Sequence, residues 1–333
     1  MSTPEVNATP GSAGGRHAPI DCAKFVAVVA VVLLHSLPTD MSRPAWIGLV
    51  DLSARFSVPF FLMTSGYFFG LGQDASNPAR FASLMKPAWR LAIPYVFWLA
   101  AYLCVYDLVS GQIDYEKQPY NLFLYGGPAF HLWYFPFLGL GLFLCVVCDR
   151  FLGLRGAAAA AAAIGLFALV RGPYHEIWPS WRDVNVEPRI AASFALIGYF
   201  IGRKDIRIGA GIAGSMAVSG FVLQAIESAF FVHDGDPFGY QHFLFGTFLY
   251  SIGVFFLVLG AKSDAGVVAW AARLGRVSLG IYCIHLLFIW IFQDVFGGGP
   301  ESNFIPVFLA SATSSVAVVL LLARIAVLRP LLR

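Results

Sequence analysis

Ten apolar runs, most of them about twenty residues long, follow one another through the chain, and that succession leaves few folds open. A helix of roughly 20 apolar residues spans the hydrocarbon core of a bilayer. In lipid each backbone group must be satisfied within its own segment, which selects helices for such runs. The runs fall at 20–38, 46–70, 89–109, 131–148, 156–172, 190–202, 208–231, 241–261, 277–296 and 304–327. Only 12% of residues are charged, against roughly 25% in a soluble domain. The expectation is an all-α integral membrane protein with about ten transmembrane helices. Ten spans use up 333 residues, so residues 17–333 read as one transmembrane domain without a soluble extracytoplasmic domain. Residues 1–16, "MSTPEVNATPGSAGGR", are polar and small and read as a disordered cytoplasmic tail.

Charge sets the orientation. With the N-terminus inside, the inner segments carry fifteen of the Lys and Arg residues, among them Arg80, Lys86, Arg90, Arg150, Arg155 and Arg276. The outer loops carry five, Arg43, Lys117, Arg171, Arg182 and Arg189. That bias puts both termini in the cytoplasm and requires an even number of spans.

Several motifs carry no chemistry in this setting. "GAGIAG" (209–214) has the glycines of a dinucleotide loop but opens a membrane helix, where close packing by small residues is the better reading. The alanine run 157–163 reads as a smooth helix surface. Cys145 and Cys148 form C-x-x-C on an apolar helix and read as core. "NAT" (7–9) matches a glycosylation sequon on a tail expected inside. No His, Cys and acid spacing suggests a metal site, and no nucleic-acid partner is expected.

"KFVAVVAVVLLH" (24–35) is different: a lysine and a histidine bracket ten apolar residues of the first span. Eleven steps of ~100° make three turns plus about 20°, so both side chains share a face, roughly 16 Å apart along the axis. Asp21 precedes Lys24 by one turn and is a plausible ion partner. Ionisable residues within a span commonly face a water-filled path. A structural reading stays open, with Lys24 snorkelling and His35 on a backbone carbonyl. In the functional one, His35 is a general base for an acceptor hydroxyl. The cation below it holds phosphates of a coenzyme A thioester inserted from the cytoplasm.

The same spacing resembles the first span of the integral-membrane acyltransferase 3 family. "RFSVPFFLMTSGYFF" (55–69), "KPAWRLAIPYVFW" (86–98), "HLWYF" (131–135), "FALIGYFIGRK" (194–204) and "SLGIYCIHLLF" (278–288) resemble its later segments, in its order, over about 300 residues. The resemblance implies transfer of an acyl group, usually acetyl, from cytoplasmic acyl-CoA to a carbohydrate or lipid-linked glycan. The membrane would be a bacterial cytoplasmic one. His35 and Lys24 map to the family's catalytic pair. Many members carry arginine at position 24, and lysine keeps that charge without its fork geometry.

Other candidates divide by depth. Lys86 and Arg90 are expected to contact CoA phosphates, or else to belong to an ordinary positive inner loop. Arg55 has Asp51 one turn before it and reads as an ion pair, an outward-snorkelling cation or a substrate contact. His131 and Trp133 open the fourth span and Tyr282 and His285 share a face of the ninth; all four are candidate substrate contacts. Ser65 beside Gly66 reads as a packing notch, and nothing in the sequence pairs Glu227 with His35. A flippase for a lipid-linked sugar, or transfer to an amine, are the alternatives.

Overall fold

The computed structural model describes residues 17–38, 43–74, 76–110, 119–177, 186–232, 237–241, 243–262, 266–297 and 300–332. The expected tail and sequon, Lys117, Arg182, His233 and His242 lie outside the described residues. Among the described residues twelve α-helices follow one another: α1 (Ala18–Ser36), α2 (Ala45–Ala54), α3 (Ser57–Leu71), α4 (Met85–Ser110), α5 (Pro119–Leu124), α6 (Tyr134–Arg171), α7 (Glu187–Lys204), α8 (Ala210–Phe231), α9 (Phe245–Gly260), α10 (Gly266–Gly275), α11 (Ser278–Phe296) and α12 (Pro300–Leu322). No strand occurs among the described residues. Seven helical segments there are long and apolar enough to cross a membrane. Large apolar side chains such as Val96, Leu108, Phe151, Val218 and Phe230 face outward, as a lipid-facing surface requires and a water-facing one resists.

The helix termini follow local rules. Proline near the start of α1 and Asp21 in its first turn suit a helix N-terminus. Pro38 follows directly after its extended cap residue Leu37. The segment Phe130–Arg171 is too long for one crossing, and its backbone leaves helical geometry at Gly153, with φ 69° and ψ 174°. A Cβ added to Gly141 would meet Ala191 and Ala195, and one added to Gly165 would meet Ser193. A straight helix would hold those two glycines about 36 Å apart, yet both touch one short stretch of α7. The two halves therefore fold back side by side at Gly153. That turn lies where the sequence places an inner segment between Arg150 and Arg155.

Close backbone packing holds the bundle. Gly66 and Gly70 of α3 meet Ala195 and Tyr199 of α7, while Gly198 and Gly202 of α7 meet Met63 and Tyr67. A side chain at any of these would strike a main-chain atom, and such small-residue seams let helices associate where lipid supplies no hydrophobic drive. The Ser65–Gly66 notch is thus a packing feature. The corresponding expectation for Gly209, Gly211 and Gly214 fails, because a Cβ there meets open space. The seam between α8 and α9 uses Gly220, Gly246 and Gly253. Small residues mark a tight contact only where a partner backbone faces them: Gly253 packs on Ala213 and Ala217 of α8, while Gly209, Gly211 and Gly214 face open space.

A buried carboxylate fixes the connection that leads into α4. Asp149 on α6 accepts from the Ala79 amide (2.9 Å) and the Tyr199 hydroxyl (2.7 Å), and pairs with Arg203 (3.3 Å). Arg203 also donates to the Asp74 and Asn77 carbonyls. This ties residues 74–79 to α6 and α7 and so positions the start of α4.

Candidate functional site

The starts of α1, α4 and α11 and the end of α3 gather at one end of the bundle around a cavity of about 980 Å³. Lys24, Lys86, Arg90 and Arg276 line it, and Asp21 is its one acidic lining residue among the described residues. Lys24 is half-buried; its Nζ lies 3.1 Å from Asp21 Oδ1 and 5.5 Å from the Phe68 ring centroid. Lys86, Arg90 and Arg276 are exposed. Gly275 packs against the Asp21 carbonyl, which brings α10 onto α1 at the rim. Lys24, Lys86 and Arg90, expected from the sequence, thus line one cavity. Arg276 was missed as a site residue, although it stood among the inner cations just before the ninth apolar run.

Deeper in, the lining becomes aromatic and hydroxylic with Tyr134, Tyr282, Ser65 and Thr64. Ser65 Oγ donates to the Phe61 carbonyl at 2.9 Å and lies 3.4 Å from the Tyr134 hydroxyl. The Tyr282 hydroxyl donates to the His131 carbonyl. Tyr282 thus lines the cavity and also packs its ring on His131 and His285.

Those two rings belong to a cluster of three histidines. His35, in the last turn of α1, stacks on His285 of α11, with centroids 5.3 Å apart and planes at 25°. His285 meets His131 edge-to-face at 4.9 Å. His131 lies in the short 3-10 helix Phe130–Trp133 just before α6. Phe130 closes on His35 at 5.2 Å. His131 and His285 are 1% and 0% exposed, and His35 is half-buried. Among the described residues the His35 ring makes no hydrogen bond, so a backbone carbonyl is not what holds it; ring contacts are.

The two buried rings have assigned tautomers. His285 Nδ1 faces the Tyr282 carbonyl at 2.5 Å, and His131 Nε2 faces the Cys283 carbonyl at 3.3 Å. A carbonyl only accepts, so each of those nitrogens carries the proton. His285 Nε2 and His131 Nδ1 are then bare lone pairs, and both are buried without a hydrogen-bond partner among the described residues. The Tyr102 hydroxyl of α4 donates to the Cys283 carbonyl (2.8 Å) and accepts from the Leu287 amide (3.2 Å). These are the two groups that a helix would join directly. Tyr102 thus reaches into the turn of α11 that carries His285. Sequence reasoning missed it because nothing marks one tyrosine of an apolar run as a cross-helix donor.

The remaining candidates separate. Trp133 packs on Phe137 at 6.0 Å and makes no ring contact with the histidines. Arg55, at the joint between α2 and α3, donates from Nε to Asp51 Oδ1 at 2.6 Å. Asp51 is shared with Arg43, whose Nη1 lies 3.0 Å from Oδ2. Arg43 also donates to the Pro38 and Phe238 carbonyls. Arg43 had read as an outer-loop charge; it is buried and ties the end of α1 to the segment before α9. Glu227 accepts from the Tyr174 hydroxyl and the Gly246 amide and has no bond to His35. Cys145 and Cys148 are unbridged and buried, as core residues.

Comparison with known proteins agrees with the resemblance. Two amino-acid racemases of Enterococcus faecalis are similar at 27% identity over 158 residues and 23% over 171, covering 45% and 50% of this chain but 22% and 23% of theirs. A serine/alanine racemase of Enterococcus gallinarum is 33% identical over 188 residues, 54% of this chain and 26% of its own. The alignments thus take in about a quarter of each of these relatives. No solved structure matches. An acyltransferase domain model matches residues 18–324. The chain, with its seven membrane-competent helical segments and a site between α1 and α11, belongs to the acyltransferase 3 family of multi-pass membrane proteins.

Proposed function

We propose that this protein moves an acyl group, acetyl first among candidates, from cytoplasmic acyl-CoA to a hydroxyl of a cell-surface or exported glycan, with His35 as general base. The observation that carries the reading is the cavity whose rim holds four cations against one carboxylate and whose floor adjoins the histidine cluster. A CoA is a long polyanion with its thioester at the far end. Lys24, Lys86, Arg90 and Arg276 match the phosphates, and Tyr134 and Tyr282 lie where the pantetheine arm would end.

In this account the bundle has ten spans. Phe130–Arg171 supplies two of them across Gly153, and α7 and α9 add the shorter ones. The rim faces the cytoplasm of a bacterial inner membrane, in keeping with the positive-inside bias. The acceptor reaches the histidine cluster from the opposite side, near Arg55 and His131. His35 takes the acceptor proton while the hydroxyl oxygen attacks the thioester carbonyl. Lys24 and its neighbours hold the donor, and charge at the rim binds it before reaction.

One second reading is favoured by the names of the relatives, which concern amino acids. In it the acceptor is an amine, and the product is an amide in place of an ester. A single experiment tests both. Membranes holding matched amounts of parent or His35→Ala protein are fed acetyl-CoA labelled in the acetyl group. Ester-linked, hydroxylamine-labile label in the glycan fraction of the parent alone is expected. Stable label in an amine-bearing fraction selects the second reading. Label of equal amount in His35→Ala removes His35 from the chemistry.

A further inference from the structure

Resting on that reading, we propose that Arg55 holds an anionic group of the acceptor, a phosphate or a carboxylate, beside His35. The argument begins with an unmatched charge. Asp51 takes Arg43 on one carboxylate oxygen, 3.0 Å from Nη1, and Arg55 on the other, 2.6 Å from Nε. Two guanidinium groups thus share one carboxylate, and the trio keeps one positive charge. The side chains of Arg43, Asp51 and Arg55 are only 2%, 6% and 14% exposed. Charge withdrawn from water to that degree is ordinarily paired. Among the described residues no second carboxylate pairs with either arginine.

Of the two arginines, Arg55 is the open one. Arg43 spends its Nη groups on Asp51 and on the Pro38 and Phe238 carbonyls. Arg55 spends Nε alone, and its two Nη groups have no hydrogen-bond partner among the described residues. Both stay accessible, whereas the unpartnered Nε of Arg43 is buried. A guanidinium pinned through Nε, with two donors free, suits the paired oxygens of a phosphate or a carboxylate.

The site lies at the height of the proposed base. Lys24 Nζ is 5.5 Å from the Phe68 ring centroid. α1 meets the cavity with its start and α3 with its end, so the two helices run in opposite directions. Eleven residues along α1 lead from Lys24 to His35, and eleven back along α3 lead from Phe68 to Ser57. Each step rises roughly 16 Å, which sets Arg55, two residues before Ser57, about level with His35. Arg55 and Asp51 are charged neighbours of His35. Like charges close together repel, so an unopposed Arg55 works against a proton arriving on His35. An anion on Arg55 offsets it. The acceptor would then bring, along with the hydroxyl that loses a proton, the counter-charge that the base requires.

The test measures binding to the purified full chain in phosphatidylcholine nanodiscs, with CoA saturating so that the cations of the cavity are occupied. The probes are labelled glycerol 1-phosphate and labelled glycerate, with glycerol as an uncharged competitor. Arg55→Gln leaves Arg43 and Asp51 as a matched pair, and Arg55→Lys keeps the charge. The parent is expected to bind at least one of the two anions without competition from glycerol. Arg55→Gln should bind it roughly ten- to a hundredfold more weakly, the scale of a charge-assisted hydrogen bond. Arg55→Lys should fall between them. Binding of neither anion by the parent, or equal binding by parent and Arg55→Gln, would overturn the proposal. Competition by glycerol as strong as that by the unlabelled anion would do the same, and it needs no variant. Loss of binding when phosphatidylglycerol replaces part of the phosphatidylcholine would give the site to a lipid headgroup and overturn its assignment to the acceptor. If His35→Ala abolishes acetyl transfer while Arg55→Gln binds as the parent does, this inference falls alone; if His35→Ala transfers normally, the function proposed above falls.

Discussion

The two ends of α1 lie in unlike surroundings. Lys24 lines a wide cavity beside Asp21, together with the exposed Lys86, Arg90 and Arg276. His35 stands half-buried among rings, with no hydrogen bond among the described residues and with two buried histidines close by. At the rim, charge matters and exact shape matters little, because long side chains and water can adapt. Among the rings, shape matters, because rings packed at about van der Waals distance cannot turn without displacing one another. One helix couples the two, and the ten residues between Lys24 and His35 set how far apart and in what direction they act.

The largest expected effect comes from breaking that coupling. Inserting one alanine between Lys24 and His35 rotates the two by ~100° relative to each other. One of them must then leave its place. The account predicts loss of acyl transfer as complete as that caused by His35→Ala, on the order of 10²–10⁴ in rate. Membranes with matched protein content and labelled acetyl-CoA give the measurement, and a working insertion mutant would mean that the spacing is accidental.

Substitution at the rim should cost less. Lys24→Gln removes one charge from a set of four, and a charge-assisted contact contributes about 1.5–3 kcal/mol. The expected result is a KM for acetyl-CoA raised roughly ten- to a hundredfold, with protein levels unchanged. Lys24→Arg keeps the charge and should lose the least of all. If Lys24→Gln and Lys24→Arg behave alike, charge at the rim is not what holds the donor.

The comparison also separates what could be read in the sequence from what could not. The rim was largely legible. Lys24, Lys86 and Arg90 are basic residues near those ends of apolar runs that the charge bias marks as inner, and such a bias can be read whatever the packing. The Lys24–Asp21 and Arg55–Asp51 pairs are local, three and four residues apart on a helix, and both form. The histidine cluster was not legible as a unit. His35, His131 and His285 are about a hundred residues and more apart, and only the bundle brings them together. The one signal was that all three lie within apolar runs or at their ends. It justified naming each of them but not joining them. The burial of Arg43 was hidden for the same reason: its tie to Phe238 is tertiary. The sixth run, now α7, was short in hydropathy because its buried face is built of Ala191, Ala192, Ser193, Ala195 and Gly198. Such residues signal contact with other helices rather than with lipid.

The central claim is that acyl-CoA occupies the cationic cavity from the cytoplasmic side, and it can be tested without knowing the acceptor. Ser83 lines the cavity beside Lys86. In a chain with Cys22 and Cys104 replaced by serine, Ser83→Cys offers a label site in that wall. The account predicts that a membrane-impermeant thiol reagent labels it in inside-out vesicles and that acetyl-CoA slows the labelling. Right-side-out vesicles should show neither. Labelling unchanged by acetyl-CoA, or protection only when acetyl-CoA is added to right-side-out vesicles, would contradict the assignment of the cavity.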